Sequence, residues 1–173
     1  GSFMVNNTLY TLSNDGTLVR RTYDGNTFGP GTATFTYANG MLSEVNTMTG
    51  IFFDPATSRI YYTLSGQSTL YYRSFLPESS VISAIRGTAT GTVASLNPTR
   101  VRGMFLANGQ IYFADNTTGF LQKIGFSGGA VTGSAAVAES TGDWRARAMV
   151  LTNAAPPNGL PTAALTSTCP VHS

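Results

Sequence analysis

The chain has 173 residues, enough for one domain with its own core, and its ten basic and eight acidic side chains leave a net charge of +2. Only 10% of residues are charged while 42% are hydrophobic and 19 are glycine, which excludes disorder and points to β-sheet with many turns. No basic run extends beyond Arg20-Arg21, so nucleic acid, which is bound through counterion release at its backbone, is not an expected partner, and no apolar run approaches the roughly 20 residues a membrane helix needs, so membrane insertion is not expected either.

Gly1-Ser2 reads as a remnant of cloning ahead of Phe3. Three segments then align on one another. The first, 3–47, holds Phe3-Met4-Val5, Thr8-Leu9-Tyr10-Thr11 and Thr17-Leu18-Val19-Arg20. The second, 48–99, holds Gly50-Ile51-Phe52-Phe53, Arg59-Ile60-Tyr61-Tyr62 and Thr69-Leu70-Tyr71-Tyr72-Arg73. The third, 100–143, holds Gly103-Met104-Phe105-Leu106, Gln110-Ile111-Tyr112-Phe113 and Phe120-Leu121-Gln122-Lys123. Leu9, Ile60 and Ile111 are spaced by 51 and 51 residues, and Leu18, Leu70 and Leu121 by 52 and 51. A partial fourth copy occupies 144–151, where Arg145-Ala146-Arg147-Ala148-Met149-Val150-Leu151 repeats Arg100-Val101-Arg102-Gly103-Met104-Phe105-Leu106 at an offset of 45.

Each repeat reads as strands. Apolar and β-branched runs are bounded by turn residues at Asn6-Asn7, Asn14-Asp15-Gly16, Asp54-Pro55-Ala56-Thr57, Asn108-Gly109 and Ser127-Gly128-Gly129. No segment shows a 3.6-residue period over the length of a helix. In the third repeat the predicted strands are 102–107, 110–114, 120–126 and 130–138. Four antiparallel strands recurring every 40–50 residues or so is the pattern of a propeller blade. The fold class is therefore all-β and β-propeller-like, with about three four-stranded blades plus one extra strand. A β-sandwich and an open β-solenoid are the alternatives. Three blades fall short of the usual four to eight or so. Further blades upstream of Phe3, a homo-oligomer completing the ring, or a small unit sealed by a strand at Ala146–Leu151 would each resolve the shortfall.

Residues 152–161 form a proline-rich linker, and 162–173 follow it with Pro161-Thr162-Ala163-Ala164-Leu165-Thr166-Ser167-Thr168-Cys169-Pro170 spanning the junction. This tail resembles the opening strand of a PKD domain, a small Ig-like sandwich. The repeats resemble the propeller-like segments that precede PKD domains in secreted proteins of high-GC Gram-positive bacteria. The residues that carry this second likeness are Phe52 to Gly66, Val101 to Leu106 and Asp143 to Ala148. The resemblance implies an extracellular or cell-surface location and a truncated second domain, which would leave Cys169 an orphan; a disordered tail is the alternative reading of 162–173. Its motifs are structural and say little about activity.

The chemistry-bearing residues are few. The one histidine, His172, and the one cysteine, Cys169, lie in the last five residues, so a Ser-His-acid site, a structural zinc site and an internal disulfide are not expected. No phosphate or dinucleotide fingerprint is present and no cofactor is expected. Gly125-Phe126-Ser127-Gly128-Gly129 lacks the spacing of a nucleophile elbow and reads as a hairpin turn. A glycosidase would need two of the eight carboxylates about 5–9 Å apart, but Asp15, Asp54 and Asp115 stand in turns, where Asp hydrogen-bonds its own backbone. The binding candidates are Arg100, Arg102, Arg145 and Arg147, at repeated positions beside the innermost strand, where they would hold a carboxylate or phosphate or else pair with Asp54, Asp115 or Asp143 to tie blades together. Tyr62, Tyr72, Tyr112 and Trp144 would stack on sugar rings or else pack between blades; neighbours on a strand alternate in direction, so one tyrosine of each adjacent pair is expected in the core and the other exposed or between blades. The sequence thus points to a non-catalytic extracellular module binding a carbohydrate or another surface ligand. A glycosidase using a carboxylate pair, and a spacer that oligomerises through open blade edges, are the alternatives.

Overall fold

The computed structural model describes residues 1–36, 39–146, 148–152 and 163–164. Arg147, the linker 153–161 and the Cys169 and His172 of the tail lie outside the described residues. Strands β1 (Ser2–Val5), β2 (Thr8–Leu12), β3 (Thr17–Thr22) and β4 (Thr32–Thr36) pair in chain order as one antiparallel sheet. Helix α1 (Asn39–Val45) leads to β5 (Met48–Asp54), β6 (Arg59–Leu64) and β7 (Tyr71–Leu76), whose outer edge is shared by the short strands β8 (Val81–Ile82) and β9 (Gly87–Thr88). Then come β10 (Thr90–Gly91), α2 (Val93–Leu96) and a third sheet of β11 (Val101–Ala107), β12 (Gln110–Asp115), β13 (Leu121–Ser127) and β14 (Ala130–Glu139). Strand β10 pairs in parallel with the outer edge of β14, so the connection from the second sheet seals the third. Finally β15 (Val150–Leu151) pairs with β16 (Ala163–Ala164).

These are the three blades and extra strand read from the repeats: the third blade's strands fall within one residue of their predicted bounds, while the second blade's outer strand is divided into β8 and β9 and the extra strand, expected over 146–151, is observed as Val150–Leu151. The Asn108-Gly109 hairpin forms as its chemistry dictates, with φ of 52° and 70° at the two positions. The helices have no counterpart in the sequence reading, because seven and four residues are too few to display a helical period.

The innermost strands form a ring: β1 lies against β5, β5 against β11, β11 against β15, and β15 against β1. Strand pairing sets Phe3 opposite Tyr10, Phe52 opposite Tyr61 and Phe105 opposite Tyr112, which makes the small residues Gly1, Gly50 and Gly103 equivalent, with Ala148 at the matching place in the fourth copy. The reason is close approach around the axis. A Cβ on Gly50 would stand 2.9 Å from Met104 Cγ, and one on Gly103, whose φ is +89°, 3.1 Å from the Ala146 carbonyl oxygen.

The core lies between blades. Phe3, Tyr10 and Leu18 of the first blade meet Ile60, Tyr62 and Phe75 of the second. Phe52, Tyr61 and Leu70 meet Met104, Ile111 and Phe113 of the third. Phe105, Ala114 and Leu121, on the far side of the third blade, are covered by Met149. A blade between two neighbours has no solvent face in its inner strands. Tyr61 and Tyr62 are both 0% exposed and face different neighbouring blades, so the second tyrosine of this pair takes the between-blade place and not the exposed one.

Candidate functional site

At the end of the axis where the innermost strands finish, the chain leaves a cavity of about 890 Å³. This is within the range of about 300–1,000 Å³ typical of small-molecule sites. Met4, Phe53, Leu106 and Leu151 line it. All four are half-buried, and all four occupy one repeat position, three residues after the small residue at the axis. The hairpin turns of the first and third blades add Asn6, Asn108 and Gly109 to the rim, and Ser127-Gly128 joins them from the third blade's outer hairpin. The mouth is thus an apolar ring within a collar of amides, hydroxyls and turn backbone.

Two acids, Asp54 and Glu78, line the same mouth. Asp54 is buried, and its own turn occupies both carboxylate oxygens: Ala56 N donates to Oδ1 at 3.1 Å and Thr57 Oγ1 to Oδ2 at 2.7 Å. Glu78 is exposed.

The predicted site residues do not gather at this mouth. Arg100, Arg102, Trp144 and Arg145 come together at the opposite end, around the β12–β13 turn. Arg100 donates from Nε and Nη2 to Asp115 Oδ1 at 3.2 and 2.9 Å. Arg145 donates from Nε and Nη2 to Asp143 at 2.9 and 2.7 Å and from Nη1 to the Asn116 carbonyl at 3.2 Å. Pairing with aspartate is therefore the role the structure gives both of these arginines. Burial alone would push Asp115 up, but the Thr117 N–H, Arg100 and the Thr118 N–H outweigh it and hold the carboxyl below its usual range. Arg102 is exposed and its side chain has no partner among the described residues.

The aromatic candidates are scattered. Tyr62 is sealed from any ligand. Tyr72 sits between blades with the Arg59 guanidinium 4.0 Å above its ring. Tyr112 stacks on Phe105 at 5.1 Å on the far face of the third blade. Trp144 packs on that same face and donates from Nε1 to the Thr141 carbonyl at 3.1 Å. These partners account for the tyrosines and the tryptophan as packing residues.

A second polar constellation escaped the sequence reading. Glu44, near the end of α1, accepts from Tyr62 OH at 2.6 Å on Oε2, and from Arg73 Nη2 at 3.3 Å and Arg86 Nη1 at 2.7 Å on Oε1. Arg73 is 3% exposed; its Nε donates to Tyr62 OH at 3.0 Å and its Nη1 to the Ser83 and Ala84 carbonyls at 3.1 and 2.7 Å. Burial, then the bond to Glu44, raises the Tyr62 hydroxyl far above its ordinary pKa. In the third blade the equivalents of Tyr62 and Arg73 are Phe113 and Ile124, both buried. The signal was that break in the repeat: an arginine at a position where the next blade has an isoleucine.

No protein-family model and no curated protein sequence matches this chain. Solved structures do. The hemopexin-fold protein CP4 from cow pea matches over 90% of this chain and 78% of its own, at 14% identity and a TM-score of 0.54. The glutaminyl cyclase of Myxococcus xanthus matches over 95% of this chain and 67% of its own, at 16% identity and a TM-score of 0.50. At such identities the likeness is one of fold, and it agrees with the blades traced above: the chain has an all-β, propeller-like fold.

Proposed function

We propose that this chain is a non-catalytic binding module displayed outside the cell, which takes a glycan, a glycoside or another surface ligand at the axial mouth. The observation that carries the reading is the ring of Met4, Phe53, Leu106 and Leu151, half-buried apolar side chains at one repeat position around a cavity of about 890 Å³. An apolar ring face would settle on them, and its hydroxyls would meet Asn6, Asn108 and Ser127 at the rim. The extracellular setting rests on the resemblance of the repeats to segments that precede PKD domains.

A second reading is hydrolysis of the same class of ligand, and it is favoured by the presence of Asp54 and Glu78 at one mouth. The hydrogen bonds that tie Asp54 to its own turn weigh against it. A panel of p-nitrophenyl glycosides tests both. Saturable binding without release of nitrophenolate is expected, weakened about tenfold or more in Leu106→Asn, a loss of about 1.4 kcal/mol, and unchanged in Glu78→Gln. Turnover abolished by Glu78→Gln would establish the second reading. Binding indifferent to Leu106→Asn would remove the mouth from consideration.

A further inference from the structure

We propose that the cleft between α1 and the second blade is a separate site for a small, singly charged carboxylate. The cleft holds about 420 Å³ and is lined by Ser43, Glu44, Thr47, Gln67, Arg73 and Arg86, with Leu64 among them. Two guanidiniums share one carboxylate there, Arg73 at 3.3 Å and Arg86 at 2.7 Å from the same Glu44 oxygen. None of the other seven acidic side chains of the protein lines the cleft, so it carries one uncompensated positive charge. Those seven stand elsewhere, at strand ends and in turns and loops, Asp115 and Asp143 with arginines of their own.

The donors are held in position. The Arg86 guanidinium lies over the Tyr71 ring at 4.1 Å, and one N–H group of it is fixed on Glu44. Stacking on the ring sets its plane and leaves its other N–H edge for a second acceptor. The Tyr71 hydroxyl in turn donates to Gln67 Oε1, which turns the Gln67 NH2 group into the free donor of that side chain. A guanidinium edge beside an amide NH2 suits a planar carboxylate, and a single negative charge balances the cleft. Leu64 offers apolar surface to a short carbon chain. A polyanion would be over-charged here and would crowd Glu44.

The test is a titration of the whole chain with sodium propionate, followed by NMR through the arginine Nε–H and glutamine side-chain NH2 resonances, with sodium chloride and sodium phosphate at equal ionic strength as comparators. Saturating shifts at Arg86 and Gln67 are expected with propionate alone, with affinity about tenfold weaker or worse in Arg86→Gln. That substitution is at a side chain 41% exposed and leaves Arg73 on Glu44. A second variant, Gln67→Glu, supplies a carboxylate in place and is expected to abolish propionate binding without lowering the melting temperature. Linear, unsaturable shifts, equal binding in either variant, or equal affinity for phosphate would overturn the proposal.

Discussion

At Asp143 one exposed carboxylate organises the approach to the fourth innermost strand. The Arg145 side chain, then the Arg145 N–H, hold it at a pKa of about 2, against an ordinary value of 3.8. A depressed folded-state pKa means that the unfolded chain binds the proton more readily, so the contribution is fully present above about pH 4 and lost as pH falls through about 2. Asp115 is depressed in the same sense. The urea midpoint is therefore expected to hold steady toward neutral pH and to fall between about pH 4 and 2, with a shallower fall in Asp143→Asn. Identical profiles for the two proteins would contradict the role given to this pair. The pairing was one of two roles open from the sequence for the repeated arginines, the other being to hold an anion, and Asp54, Asp115 and Asp143 were all candidate partners. The mouth was not legible: Met4, Phe53, Leu106 and Leu151 are unremarkable apolar residues, and only the ring of four strands gives them a common place.

On the element scale, the strands were legible because turn chemistry and length alone define them, as at Asn108-Gly109. The sidedness of β6 was not, since a two-sided interface has no polar face to alternate with. Helix α1 escaped notice for its shortness, yet Glu44 ties it to β6, to β7 and to the loop bearing Arg86. Removing the carboxylate would strand a guanidinium that is 3% exposed. Glu44→Ala is expected to cost about 3–5 kcal/mol, read as a drop in urea midpoint at constant slope. Tyr62→Phe, which removes only a hydroxyl, is expected to cost about 1–3 kcal/mol. A Glu44→Ala loss no larger than that of Tyr62→Phe would show that the helix does not depend on this anchor.

For the whole molecule, a blade buries its faces only against other blades, so its stability requires a ring, as does the binding proposed at the mouth. Three repeats fall one short of the smallest usual propeller, and the partial fourth copy supplies the missing innermost strand. Gly1, Gly50, Gly103 and Ala148 keep the axis narrow, and the ring of Met4, Phe53, Leu106 and Leu151 opens at its end. The ring's closure was one of three readings open from the sequence, because which strand lies beside β1 is a long-range fact that no local pattern encodes.

The most direct test is a methyl NOESY spectrum of the chain with labelled valine and leucine. Closure requires cross-peaks from Val5 in β1 to Val150 or Leu151 in β15, together with cross-peaks from β15 to Leu106 in β11. Contacts of β15 with β11 but none with β1 would mean that the ring is open and that the mouth, as described, does not exist.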